Sequence, residues 1–432
     1  MRRVVIVALV LLLTACASGL ATTATPSSQP AAANDRTLVV LWHAWPALEQ
    51  QTLNSLVEQY NRLNPTTQVV IQSRPATTIV ADIRAAVAEG GGPHMAIVPS
   101  HTLGILAEQG WIQPLEDLFA SGDLSRLLPA AVGSAQIRDG AGEALYGIPI
   151  TFDTLGLYYN RANFASEPPA DITALLEAAR ALTDTRSEPP IWGLAYHLNL
   201  ERTIGYLYAF DGEVFDSEGE LTLGLNGRTG AERWLTWLSA MYRDERILAG
   251  LDGITVDSAL MTGNALMTID WAHRIENYRA LWPEQMGVTT LPLLVAEDRA
   301  PQPYVRSDVL VMNARIGAGN ERAAIADFAR YMIDQSAQQA LLQAARQPVL
   351  LSVNLDDETV APADLRAAAA AFRLQGEQGR PMPNNRMGNE IVRAVLSEMQ
   401  SNVMRGLLSP EQAVVEADAT LRTRLGLPVS EP

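Results

Sequence analysis

Lysine is absent from this chain: each of the 32 basic residues is an arginine. A Schiff-base lysine, a Walker-A lysine and a Ser–Lys dyad are excluded together. Cysteine occurs once, as Cys16, so neither an internal disulfide nor a CxxC metal or redox site can form. Sequence signatures of catalysis are missing too, with no GxSxG elbow, HExxH pair, P-loop or GxGxxG turn. The run Gly90-Gly91-Gly92-Pro93 ends a helical pattern instead of opening one, the wrong place for a phosphate cradle. Positive charge is also scarce. The formal net charge is −16, and losing a leader that carries Arg2 and Arg3 would make it more negative. Such a balance opposes displacing counterions from a phosphate backbone, and so opposes nucleic acid as a partner.

Long apolar runs are few. The longest, Val4 to Leu13, follows Arg2-Arg3 and is roughly half the length a bilayer-spanning helix needs, so residues 1–15 read as a signal peptide. Leu13-Thr14-Ala15-Cys16 resembles a bacterial lipobox, in which Cys16 is lipidated after cleavage. Acyl chains on Cys16 would hold the chain to a membrane at about 0.8 kcal/mol per buried methylene. Residues 17–35 are Ala, Thr, Ser and Pro with almost no charge, and together with Cys16 they make a lipidated flexible tether, 16–35. The folded part starts near Arg36.

What is present is ordinary for a globular protein: 48% apolar and 19% charged residues over 432 positions, too long for a single core. Thr37 to Trp45 is a continuous apolar run, as in a strand buried on both faces. Leu53, Leu56, Val57, Tyr60 and Leu63 follow at helical spacing, and Gln68 to Gln72 reads as a second strand. Ile79, Ile83, Ala86 and Val87 mark another helix and Met95 to Val98 a third strand. These are βαβ units, so the sheet is parallel. Leu145 to Phe164 alternates apolar residues over a length too great for one strand, and reads as a crossing segment between two lobes. The second lobe carries a helix over 171–182, strands over 191–196, 265–269 and 287–291, and a helix over 228–243 whose Trp234 and Trp237 belong to the core. Residues 309–312 and 321–332 return to the first lobe, and 348–353 cross again. The expected lobes are thus 36–148 with 306–347, and 149–305 with 348–432. Ser409-Pro410-Glu411-Gln412 carries a capping box that starts the last helix.

In open α/β sheets ligands lie beyond the carboxyl ends of the strands. Those ends carry Trp42, His43 and Trp45, then Ser100 and His101, then Trp271 and His273, while Asp153 sits at the crossover. Flat rings suit the C–H face of a sugar, and polar groups around them can take its hydroxyls. His43, His101 and His273 also make a His₃ metal site worth testing, although ordinary hydrogen bonding is the commoner use of such residues. Two carboxylates could instead hydrolyse a glycan, a separation no sequence displays.

Several segments occur in a recognisable order: a first strand ending in WHAW, YNRLNP, GGGPHMAIV, GWIQPLEDL, YGIPITFDTLGLYYN, GNALMTIDWA and GLLSPEQAV. From about Thr37 to Leu425 the chain resembles the extracellular solute-binding proteins of ABC transporters, family 1, which includes the maltose-binding protein. The resemblance implies a two-lobed periplasmic-binding-protein fold of type II, α/β, with a mostly parallel sheet in each lobe and crossing hinge strands. It also implies a non-enzymatic, monomeric lipoprotein outside the cytoplasm, periplasmic or at the cell surface. Such a protein captures a carbohydrate between its lobes without a cofactor and delivers it to ABC permease subunits. Carried over by position, His101 and Thr102 replace an acid and an arginine that bind sugar in the maltose receptor, and Asp153 matches an acidic ligand residue. Trp271 and His273 fall around a stacking tryptophan, and Tyr206 and Asn384 complete the set. His94 stands where the family usually has Asp. These departures argue against maltose itself. Glycerol-3-phosphate remains an alternative, with Arg306 and Arg386 placed for a phosphate, and a chemoreceptor could share the same site.

Overall fold

The computed structural model describes residues 36–139, 142–216, 219–385 and 387–428. The leader, Cys16, the tether and Arg386 lie outside them. The first strand, Thr37–His43, is followed by a helix, Ala47–Leu63, that buries Leu53, Leu56, Val57 and Tyr60. Leu63, expected on that face, is exposed. The second strand, Thr67–Ser73, pairs in parallel with the first over its whole length. A helix over Ile79–Ala88 then leads to the third strand, Met95–Pro99, parallel to the first on its other side.

The chain completes this sheet with strands that visit the second lobe. In space the order is Gln347–Pro348, Ile148–Asp153, Tyr304–Met312, Met95–Pro99, Thr37–His43, Thr67–Ser73, with Arg380–Pro381 beside the start of Tyr304–Met312. Tyr304–Met312 runs antiparallel to both of its long neighbours, because it returns from the second lobe as Ile148–Asp153 leaves for it. The pairing slips between Asp308 and Val309, opposite Pro149. Proline has no N–H for the ladder, so the extra residue is accommodated there.

The crossing segment is two strands on two sheets. Ile148–Asp153 stays in the first sheet through Asp153, and Leu155–Asn160 opens the second. The passage between lobes therefore falls at Thr154, later than the expected boundary after residue 148. Thr154 is buried, and its hydroxyl donates to the Tyr304 carbonyl (3.1 Å), tying the two crossing strands together. The second sheet, Met267–Trp271, Leu155–Asn160 and Met286–Thr289, is antiparallel throughout, where a mostly parallel one was expected. Leu155–Asn160 leads away from the crossing point and both neighbours run back towards it, which sets Trp271 beside Leu155 at the cleft end. Among the described residues, parallel pairing in this lobe is confined to Ala195–His197 with Leu248–Gly250 and to isolated bridges such as Trp192 with Ala265.

Alternation along Leu155–Asn160 divides the core. Leu155, Leu157 and Tyr159, with Met267, Ile269 and Trp271, pack into a cluster with the helices Ile172–Leu182, Leu200–Ala209 and Arg228–Tyr242. Trp234 is fully buried there, with its Nε1 donating to the Thr203 carbonyl (3.1 Å). Tyr158 points the other way, against Tyr278 and against Phe372 of the helix Ala363–Gln378, and belongs to the cluster that fills the first lobe. The last helix, Pro410–Leu425, starts on the capping box read from sequence. Ser409 Oγ accepts from Gln412 N–H, and Gln412 Oε1 accepts from Ser409 N–H (3.2 Å each).

Candidate functional site

Where the crossing strands pair, Asp153 stands directly opposite Arg306. Cross-strand partners share a face of the sheet, so the two side chains meet. Arg306 donates from Nε and Nη2 to Asp153 Oδ2 (2.9 and 2.8 Å). The second lobe closes the other side: His273 gives its backbone N–H to Asp153 Oδ1 (3.0 Å), and its Nδ1 lies 2.8 Å from Oδ2. Against a carboxylate, Nδ1 is the nitrogen that carries the proton. Burial by itself would raise the Asp153 carboxyl, but the charges and hydrogen bonds of His273 and Arg306 outweigh it and hold the group well below the usual range. Asp153 is therefore ionised throughout the neutral range. The Arg306 guanidinium also lies over the Trp271 ring, 4.1 Å from its centroid.

That arrangement recurs at the other two tryptophans. Trp42 donates its Nε1 to Gln72 (2.9 Å) and carries Arg74 over its ring at 4.0 Å. Trp45 donates to Asp308 Oδ2 (2.8 Å) and carries Arg346 at 5.3 Å. All three rings are at most 8% exposed. The strand ends thus do hold tryptophans, but a guanidinium covers each one, where open stacking faces were expected.

The remaining candidates are mostly engaged in holding the walls. His43 is fully buried, accepts the Trp45 N–H on Nδ1 (3.2 Å), and is kept neutral by its burial. Ser100, also buried, accepts the Ser307 N–H (3.0 Å), and Thr102 donates to the Pro99 carbonyl (2.7 Å). His101 is half-buried, and burial together with the Arg306 charge lowers its pKa. Tyr206 is enclosed in the second lobe's core, its hydroxyl on the Pro292 carbonyl (3.1 Å) and its ring against Trp237. Asn384 donates its amide to the carbonyls of Ser134 and Gln136 (2.8 and 2.6 Å). Tyr206 and Asn384 are placed as framework. Among the described residues no group of three or more His, Cys, Asp and Glu side chains could hold a metal ion, so the three rim histidines do not form a metal site.

Of the residues singled out from the sequence, Asp153, Trp271, His273 and Arg306 are brought into contact, with His101 within reach of the Arg306 charge. Asp308, Arg346, Glu201 and Arg393 were not foreseen. Asp308 accepts from Trp45 and Arg346, and Glu201 pairs with Arg393 at 2.7 Å. Asp308 was findable, since it lies two residues from Arg306 on one strand and so shares its face. Arg346 and Arg393 reach their partners through tertiary packing alone.

Two α/β lobes on paired crossing strands, with a charged cluster where those strands meet the second lobe, define a hinged binding protein. The chain belongs to the bacterial extracellular solute-binding protein family, whose model matches residues 55–367. It is 24% identical over 268 residues to the maltotriose-binding protein of Pyrococcus abyssi (strain GE5 / Orsay), a match covering 62% of this chain and 56% of that relative. The chain thus spans little more than half the length of that curated relative. Among solved structures, a cyclo/maltodextrin-binding protein complexed with maltotetraose superposes with a TM-score of 0.75 at 18% identity, over 90% of this chain and 97% of that one. The Thermus thermophilus maltotriose-binding protein with maltotriose bound gives 0.69 at 21% identity, over 90% and 100%. At these identities the structural likeness establishes the fold.

Proposed function

We propose that this protein is the substrate-binding component of an ABC importer and captures a neutral carbohydrate, of the maltodextrin class, between its lobes. The observation that carries this reading is that solved neighbours covering nine-tenths of the chain hold maltotetraose and maltotriose in this fold. Asp153, Trp271, His273 and Arg306 would line the ligand, with His101 across from them. Ligand touching both lobes would favour the closed form, which is then presented to permease subunits. Cys16 would carry the lipid anchor and residues 17–35 the tether, placing the folded part outside the cytoplasm. Among the described residues no helix is long and apolar enough to cross a membrane.

Two alternatives fit the site less well. A glycosidase needs a carboxylic acid kept protonated near neutrality, whereas Asp153 is held ionised. A phosphate ester needs unmatched cations, whereas Arg306, the described member of the pair expected to hold one, faces Asp153. The test is calorimetric titration with maltotriose and maltotetraose, followed by chromatography of the sugar recovered. Saturable binding with intact sugar is expected. Shortened products would favour hydrolysis, and no binding across neutral oligosaccharides would remove the carbohydrate reading.

A further inference from the structure

The second lobe contains a cavity of about 400 Å³ that the interlobe cluster does not use, walled by Tyr208, Phe215, Tyr304, Arg380, Val392 and Leu427. A void of about 20 Å³, space for one water, lies between its Tyr304–Val392 wall and the Glu201–Arg393 pair. Glu201 is in turn close enough for its charge to act on Arg306. The chamber is thus a neighbour of the cleft, not a part of it. We propose that it is a second ligand site, for an uncharged two-ring aromatic molecule that carries a hydrogen-bond acceptor.

Three features select that class. The first is size and lining. A cavity of about 150 Å³ holds one benzene ring, so this one has room for two fused rings, and small-molecule sites are mostly apolar and aromatic in this way. The second is charge. Arg380 donates from Nη1 and Nη2 to both Glu213 oxygens (2.7 Å each) and lies 3.8 Å over the Tyr208 ring. That pairing cancels the charges of Arg380 and Glu213, and among the described residues of the lining it leaves no free cation to attract an anion. The third is one unmatched proton. The Tyr208 and Tyr304 hydroxyls share one hydrogen bond (3.4 Å), so one O–H donates to the other and the second O–H has no acceptor among the described residues. A ligand oxygen would supply it. Tyr304 also begins the crossing strand and pairs with Arg380, so an occupant would brace the base of the hinge.

The probes are 2-naphthalenemethanol and its charged counterpart 2-naphthoate, titrated into the full chain and followed by naphthalene fluorescence. Saturable binding of the alcohol is expected, at least tenfold tighter than the naphthoate. Leu427→Trp, which fills the chamber from its rim, is expected to weaken the alcohol at least tenfold with sugar titrations unchanged. If that variant does not fold, Phe215→Trp fills another wall. Glu213→Gln leaves the Arg380 charge unmatched and is expected to raise naphthoate affinity about tenfold. The proposal is overturned by an absence of saturable alcohol binding, by binding that both filling variants leave intact, or by displacement of the alcohol with maltotriose. A failure of the sugar titration alone would count against the carbohydrate reading and leave this site standing.

Discussion

Asp153 collects four hydrogen-bonding contacts from two residues on different lobes, and its ionisation is coupled to folding. Because folding lowers this carboxyl below its ordinary value near 4, the stability it contributes is complete above that pH. It drains away as the pH falls below about 4 towards the depressed folded value. Asp153→Asn removes the charge and leaves Arg306, three-quarters buried, without its hydrogen-bonded carboxylate. The expected loss at pH 7 is about 2–4 kcal/mol, shrinking steadily below pH 4. Urea unfolding of both proteins at pH 7 and pH 3.5 measures the two gaps, and equal gaps would contradict the linkage. Gln347 is the converse case. It is 2% exposed, and neither its Nε2 nor its Oε1 has a partner among the described residues. A buried amide left unpaired costs about 1–3 kcal/mol, while an apolar replacement of similar shape removes that cost. Gln347→Met is therefore expected to raise stability by about 1 kcal/mol, and a loss in urea unfolding would show that the amide holds a water.

At the scale of the element, the strand Leu155–Asn160 is packed closely against a helix that both lobes share. A Cβ on Gly156 would stand 2.7 Å from Phe372 Cε1, in the helix Ala363–Gln378. Gly156→Ala is expected to cost about 1–3 kcal/mol by overpacking, and Phe372→Leu in the same chain to return part of it. A double-mutant cycle read by thermal unfolding checks this, and simple additivity would mean that the strand had moved away. Much of this lobe was legible beforehand. Alternating Leu155, Leu157 and Tyr159, the tryptophan helix and the Ser409 cap are local patterns, and local patterns are written in neighbouring residues. The antiparallel pairing was not legible, because partner direction depends on where the chain returns, and more than a hundred residues separate the partners. The site divides the same way. Asp153 and Trp271 were found from strand ends, whereas the guanidinium over each tryptophan comes from a distant segment. Tyr206 and Asn384 were placed by resemblance alone, and packing makes them framework.

For the molecule as a whole, the question is whether two lobes mean two folding units. One buried cluster fills the first lobe and runs on through Val349, Leu365 and Phe372 to Tyr158, Tyr278 and Trp282 on one face of the second sheet. The helix Ala363–Gln378 is the bridge, since it packs on strands of the second sheet and on the helix Pro129–Ser134 of the first lobe. Opening the first lobe alone would strip that helix from one support and expose part of the second lobe's core. Multidomain proteins commonly unfold in steps, but here the shared core couples the halves. Urea unfolding is therefore expected to give one transition, coincident by far-ultraviolet and near-ultraviolet circular dichroism. Phe372→Ala cuts the bridge between Gly156, Tyr158 and the first lobe, and is expected to cost about 3–5 kcal/mol and to separate the two signals. Two transitions in the unaltered protein would show that the hinge, not the core, sets the folding unit. Ligand held between the lobes stabilises only the form in which both are folded, so adding a bound sugar should shift the single transition without splitting it.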